Sequence, residues 1–498
     1  MTEDSTPSQR TSRRDRIREL EEAARALEPG AERLDAWLGA AHGYARRLLA
    51  ELPERPTYQE DKEPAGRIAD FPIGDAPRSV ERLLEAFDEA VVRPGILASS
   101  GGHLGYIPGG GLYASALADY LAAVTNEYAG VWFASPGAVE MENRVLAWMA
   151  DLVGYPGGHA GNLASGGSIA NLIAIVTARE AAGLRARDVH RAVIYSTSQL
   201  HHCVDKALRV AGLGEAIRRE VPLDGRYRLD PAHLPALIEA DRAAGRRPWM
   251  VIASAGTTDV GAIDPMPAIA DIAREHGLWF HVDAAYGGFF ALVPSCRVRL
   301  AGMERSDSLV LDPHKGMFLP YGTGAVLVRD GAALHAAHDY AAPYMQDTVE
   351  QERDRRSPAS LSPELTKHFR GLRVWLPLML AGVEPFRACL EEKLELARYF
   401  HGEIAAAGFE VGPEPDLSVV IYRWVPGRGD ANAFNRALIE AVHADGRVFL
   451  SSTLIDGVFW LRLAVLSFRT HLEWIDRTLD LLVDLAEELE ARPERWGG

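Results

Sequence analysis

The strongest constraint in this chain lies between Gly154 and Arg329, where short apolar runs alternate with helical patterns. The runs are RAVIYS, PWMVIASAG, LWFHVDAA, SLVLD and GAVLVRD, and stretches such as SIANLIAIVTAREAAGL and PAIADIAREHG lie between them. A short apolar run bounded by turn residues reads as a buried strand. A helix between strands returns the chain so that the next strand runs in the same direction. The alternation therefore predicts an α/β fold, a mostly parallel sheet covered by helices. In such sheets ligands gather at the carboxyl ends of the strands, so the polar residues there carry the functional information.

Five of these strand ends or turns hold unusual polar groups. LASGGSIAN (163–171) is a glycine-serine turn that opens a helix. Free N–H groups at a helix start suit a phosphate, although an ordinary N-cap serine has the same pattern. The turn lacks the GK[ST] ending of a P-loop and does not fit G-x-G-x-x-G. His201 and His202 stand where the helix after RAVIYS begins, and Thr257 and Thr258 lie just past PWMVIASAG. Asp283 interrupts the small, apolar run FHVDAAYGGFF. A buried aspartate there needs a cation or several donors. Lys315 follows SLVLD, 32 residues after Asp283, and an ammonium between buried strands is costly unless paired or neutralised. Singly, these residues read as a cap, a surface ring, turn threonines, a structural ion pair and an outward lysine. Together they suit pyridoxal phosphate, which has a phosphate, a flat ring, a ring nitrogen that wants an anion and an aldehyde that wants an amine. Lys315 would hold it as a Schiff base, and Asp283 would keep the ring nitrogen protonated.

Around this region the chain is simpler. Residues 31–52 and 78–92 read as amphipathic helices, the latter stopped by Pro94-Gly95, with a proline-rich charged connector between them. The polar first dozen residues read as disordered. These helices are too few to bury a core, so residues 1–100 are expected to pack on the dimer partner. A large domain is expected over 101–375 and a small α/β domain over 376–498, because 498 residues exceed one ordinary core. Residues 340–363 form a long charged loop, which is uncommon unless it serves function. The net charge of −16 disfavours nucleic acid and anionic membranes as partners. No segment is long and apolar enough to span a bilayer. Cys203, Cys296 and Cys389 build neither a disulfide framework nor a metal site, so no metal is expected and a reducing cytoplasm is the expected location.

The ordered motifs FASPGAVEMENRVLAWM, SGGSIANL, HHCVDKA, HVDAAYGG, DPHK, HFRGLRVW and LRLAVLSFRT resemble those of the pyridoxal-phosphate-dependent (group II) amino-acid decarboxylases, which include aromatic-L-amino-acid and glutamate decarboxylases. The resemblance implies the aspartate-aminotransferase-like fold (fold type I), with a mostly parallel seven-stranded sheet, helices on both faces and a small C-terminal α/β domain. It also implies a homodimer with the active site at the subunit interface. By motif, Lys315 is the Schiff-base lysine, Asp283 the partner of the ring nitrogen and His201 the ring stacked on the cofactor. Gly167 and Ser168 hold the phosphate, Thr258 sits near the cofactor, Ala285 lies beneath the ring, and Asp312 and His314 flank the lysine. Tyr344, in AAPYMQD, matches a loop tyrosine that protonates the substrate α-carbon after carbon dioxide leaves. Two residues depart from the pattern. Asp312 replaces an asparagine of some relatives and is expected to bond a backbone group or His314, and Ile169 replaces an acidic residue.

The expected activity is α-decarboxylation of an L-amino acid to its amine and carbon dioxide. Tyr106, Ile107, Trp132 and Phe133 are expected to line the substrate pocket and favour an aromatic substrate, although Gly130 stands where aromatic-acid relatives place a phenylalanine. Decarboxylation of an acidic or other non-aromatic amino acid, aldehyde synthesis or transamination on the same scaffold, and a non-catalytic binding role on a retired enzyme fold remain open at this level.

Overall fold

The computed structural model describes residues 7–60, 68–74, 77–339 and 357–496. By contacts they form two units, one of residues up to 55 with 59–95, the other of 56–58 with 96 onward. The first unit carries helices α1 (Pro7–Ala24), α2 (Ala31–Glu51) and α3 (Val80–Phe87). Residues 7–12, expected to lack structure, belong to α1. The arginine, glutamate and leucine that follow favour a helix even without an apolar face to bury. The single helix expected over 78–92 is instead α3 followed by a π-helical turn at Asp88–Val92. The Asp88 carboxylate, 7% exposed, accepts hydrogen bonds there from Tyr44, Arg55 and Arg93.

The second unit is built on a seven-stranded sheet. Its strands are β1 (Ala160–Ala164), β2 (Ala192–Ser196), β3 (Ile217–Glu220), β4 (Arg247–Ser254), β5 (Trp279–Asp283), β6 (Ser308–Leu311) and β7 (Gly324–Val328). They lie in the order β1-β7-β6-β5-β4-β2-β3. Only β7 runs antiparallel to its neighbours, β1 and β6. The central strands end level, because Ser254 pairs with Asp283 and Asp283 with Val310. That level edge is where polar side chains from separate strands can meet. Five strands match the apolar runs. The other two, AGNLA of β1 and IRRE of β3, have no apolar run of their own. β1 is held by its pairing with β7, and β3 is an edge strand whose alternate residues are exposed.

Helices α4 (Tyr113–Thr125), α5 (Pro136–Val153), α6 (Gly167–Ala181), α7 (Cys203–Val210) and α8 (Gly371–Ala381) belong to this unit. The chain ends in a four-stranded antiparallel sheet of β8 (Glu410–Val411), β9 (Val419–Arg423), β10 (Ser451–Ile455) and β11 (Val458–Ala464), in the order β8-β9-β11-β10. Helices α9 (Glu384–Ala406), α10 (Ala431–Asp445) and α11 (Leu472–Glu490) pack with it around Phe400, Phe434, Leu461 and Ile475. Leu417, Val419 and Ala464 join the same apolar cluster as Tyr286 and Phe289 beside the large sheet, so the two sheets share a core. Among the described residues no helix is long and apolar enough to cross a membrane.

Candidate active site

The ends of β1, β2, β4, β5 and β6 each contribute one part of a single cavity of about 320 Å³. The turn after β1 opens α6 at Gly166, and no side chain caps it. Its first amides are therefore open to an anion, which the partial positive charge of the helix start also favours. The turn is crowded. A Cβ at Gly167 would lie 2.8 Å from Asp312 Oδ2, and one at Gly324 would lie 2.5 Å from the carbonyl carbon of Gly166. Glycine at both positions lets three backbone segments close around the space a phosphate would take.

On the neighbouring strand ends stand the ring, the carboxylate and the amine. His201 Nδ1 accepts from the Cys203 amide at 3.3 Å, so the ring's own proton sits on Nε2. Burial lowers the pKa of His201 from the ordinary histidine value. Asp283, the last residue of β5, is 8% exposed. Its Oδ1 accepts from Ala285 N at 3.1 Å and its Oδ2 from Asn171 Nδ2 at 3.3 Å. Lys315 lies in the helical turn Pro313–Gly316 after β6 and donates from Nζ to Asp312 Oδ2 at 3.0 Å. Burial works against the ammonium, but Asp312 and Asp283 hold the Lys315 pKa above the ordinary lysine value. Asp312 was expected to bond a backbone group or His314. It pairs instead with Lys315, because a helical turn sets residues three apart on one side. Its Oδ1 is buried without a hydrogen-bond partner beside the open turn of α6. His314 donates from Nδ1 to the Thr323 carbonyl at 2.6 Å and keeps Nε2 3.8 Å from Asp312.

The cavity is lined by Gly167, Ser168, His201, Thr258, Asp283, Ala285, Asp312, His314 and Lys315 together. Asn171, Gln199, Cys203 and Tyr286 also line it, and sequence reasoning missed them. The signal for Asn171 was its place one helical turn after Gly167, and for Cys203 its place two residues after His201. The four residues expected to form the substrate pocket do not border this cavity. Ile107 is buried in the large core, Tyr106 and Phe133 are exposed, and the Trp132 amide donates to Ser357 Oγ. A Cβ at Gly130 would lie 2.3 Å from the Leu365 carbonyl oxygen, so no aromatic side chain fits there. Tyr344 lies outside the described residues. No cluster of histidine, cysteine or acidic side chains suited to a metal occurs among the described residues.

The chain has only five lysines, Lys62, Lys206, Lys315, Lys367 and Lys393. Lys367 and Lys393 are buried and paired with Glu142 and Glu392, and Lys206 is exposed. Among the described residues Lys315 alone is an amine facing the cavity. An amine, an anion and an open helix start around one cavity, at the edge of this sheet, fit a ligand with an aldehyde, a basic ring nitrogen and a phosphate. That combination defines the class: a pyridoxal phosphate enzyme of the aspartate-aminotransferase fold. Residues 67–425 match the model of the pyridoxal-dependent decarboxylase conserved domain. The chain belongs to the pyridoxal-dependent decarboxylase family. It is 32% identical over 391 residues to an aromatic-L-amino-acid decarboxylase of Bacillus atrophaeus, covering 78% of this chain and 81% of that protein. It is 29% identical over 406 residues to a phenylacetaldehyde synthase of Arabidopsis thaliana, covering 78% and 83%. Oryza sativa TDC, crystallised with PLP and tryptamine, superposes with a TM-score of 0.87 at 26% identity, covering 93% of this chain and 99% of that one.

Proposed function

We propose that the protein removes the α-carboxylate of an aromatic L-amino acid and releases the amine and carbon dioxide. The observation that carries this reading is the meeting of Lys315, Asp283 and the uncapped start of α6 around one cavity. When bound, pyridoxal phosphate supplies an aldehyde for the substrate amine and a ring that accepts the electrons left by the carboxylate. The first amides of α6, with Ser168, hold the phosphate. His201, whose pKa burial lowers, would hold the ring from one side. Asp283 would hold a proton on the ring nitrogen. Lys315 would hold the cofactor through its aldehyde, and Asp312 keeps the Lys315 amine oriented at the cavity wall. Tyr344 delivers a proton to the substrate α-carbon once carbon dioxide has left.

The aromatic preference is supported by the names of several relatives, among them the Bacillus atrophaeus enzyme. A homodimer with the active site at the subunit interface fits the exposed Tyr113, Leu117, Tyr120, Leu121 and Val124 of α4 and the exposed Met379 and Leu380 of α8. In that assembly Tyr106, Trp132 and Phe133 would serve the site from outside its own chain. A reducing, cytoplasmic setting fits three free cysteines.

Amine release over a panel of amino acids tests this reading. Tryptophan, tyrosine or phenylalanine should give amine and carbon dioxide in equal amounts without peroxide. Turnover of acidic substrates alone would overturn the aromatic assignment. Tyr344→Phe should change the outcome, with the aldehyde, ammonia and peroxide appearing at the expense of amine when oxygen is present. Unchanged amine yield in that variant would remove Tyr344 from the mechanism.

A further inference from the structure

Behind Asp283 lies a line of buried polar groups that the reaction does not touch. Trp279, His281 and Asp283 alternate along β5 and so point to the same face of the sheet. Ser308 of β6 pairs directly with His281, and Asn171 of α6 covers the face. His281, Ser308 and Asn171 are each 0% exposed. Trp279 Nε1 lies 2.9 Å from Ser308 Oγ, Ser308 Oγ lies 2.8 Å from His281 Nδ1, and His281 Nε2 lies 2.8 Å from Asn171 Oδ1. Asn171 Nδ2 then donates to Asp283 Oδ2 at 3.3 Å.

The direction of every bond in this line is fixed from its two ends. An indole nitrogen can only donate, and a carboxylate can only accept. Facing Asp283, Asn171 must present its NH₂, because its carbonyl there would oppose a negative oxygen. That leaves Asn171 Oδ1 as an acceptor, so His281 carries its proton on Nε2. Burial pushes the His281 pKa down to about 4, so the ring is neutral near pH 7 and Nδ1 is an acceptor. Ser308 donates to it and accepts from Trp279. All four hydrogen bonds therefore point at Asp283, and each polarises the next.

Resting on the decarboxylase reading above, we infer that Trp279, Ser308 and His281 are positioning residues for the reaction: a one-way relay that sets how strongly Asp283 holds the proton on the cofactor ring nitrogen. Asn171 is the link through which the relay acts. The other charged or titratable groups coupled to Asp283 are Lys315, His201 and Cys203, and Asp312 acts on those same three. All of these lie on the cavity side, whereas the relay approaches from the interior of the sheet.

The test uses the full-length holoprotein loaded with ¹⁵N-labelled pyridoxal phosphate. In Ser308→Ala the carboxylate of Asp283 receives weaker donors and binds the shared proton more tightly. The pH at which the ring nitrogen loses its proton should therefore rise by about one unit, and the ring, with that proton drawn toward the carboxylate, should carry less positive charge. The kcat should fall about tenfold with KM unchanged, in line with the effect of outer partners on ligating groups. Ser308→Thr, which keeps the hydroxyl, should restore both values. The wild-type protein gives a second readout that does not depend on a variant folding. Its ¹⁵N histidine spectrum should show His281 neutral with the proton on Nε2 at pH 7. A ring-nitrogen titration unchanged in Ser308→Ala would overturn the relay. So would a His281 that is cationic or protonated on Nδ1. Failure of the underlying reading looks different: wild-type protein that takes up no cofactor overturns both.

Discussion

Asp283→Asn is expected to take up pyridoxal phosphate yet decarboxylate about 10²–10³-fold more slowly than the wild type, the usual effect of removing one preorganised electrostatic group. The substitution keeps the size and flatness of the side chain, so the Ala285 amide can still be satisfied at 3.1 Å. What disappears is the charge at the level edge of β4, β5 and β6, where the ring nitrogen would lie. Without an anion the nitrogen loses its proton, and the ring loses its pull on the electrons of the carboxylate bond. With the one amide oxygen turned to the Ala285 amide, Asn171 Nδ2 faces an NH₂ and loses its acceptor. Single-turnover carbon dioxide release, with cofactor content measured by absorbance, separates slow chemistry from lost cofactor. A rate within tenfold of wild type in a fully loaded Asp283→Asn protein would contradict the assigned role.

The second large effect concerns stability. Glu142 of α5 and Lys367, just ahead of α8, form an ion pair at 2.9 Å with neither side chain exposed to solvent. Lys367 also donates to Asn162 Oδ1 at 3.2 Å and to the Leu163 carbonyl at 3.0 Å, and the Arg370 amide donates to Glu142 Oε1 at 3.2 Å. The pair thus joins α5, the segment before α8, and β1, the strand that leads into the turn at α6. Glu142→Gln leaves a buried ammonium without its countercharge, and breaking such a pair costs about 3–5 kcal/mol. The expected result is a marked fall in the urea midpoint with no change in the slope of the transition. The double variant Glu142→Leu/Lys367→Met removes both charges and should be more stable than Glu142→Gln. A midpoint within error of wild type in Glu142→Gln would show that the pair contributes little.

Much of the site was legible because each part was a polar residue in an awkward place. Asp283 and Lys315 stood out against apolar runs, and the glycine-serine turn stood out ahead of a helix. What sequence reasoning could not supply were contacts made across the fold. β1 and β3 lack an apolar run, so their positions follow from pairing and not from their own residues. Asp312 looked misplaced beside a phosphate site until the helical turn brought Lys315 within 3.0 Å. Trp279 and His281 share the period of Asp283 along one strand, yet Ser308 and Asn171 come from other elements, so only the fold joins the line. Tyr106, Ile107, Trp132 and Phe133 were legible only by chemical type, which says nothing of distance from the cavity in their own chain.

The central claim is that Lys315 carries the cofactor, and it can be tested in one measurement. The loaded protein is reduced with borohydride, digested, and its peptides mapped for a pyridoxyl label. With only five lysines in the chain the assignment is unambiguous. The account predicts the label on Lys315 alone, at close to one per chain. A label on Lys62, Lys206, Lys367 or Lys393, or none after reduction of a loaded protein, would contradict it.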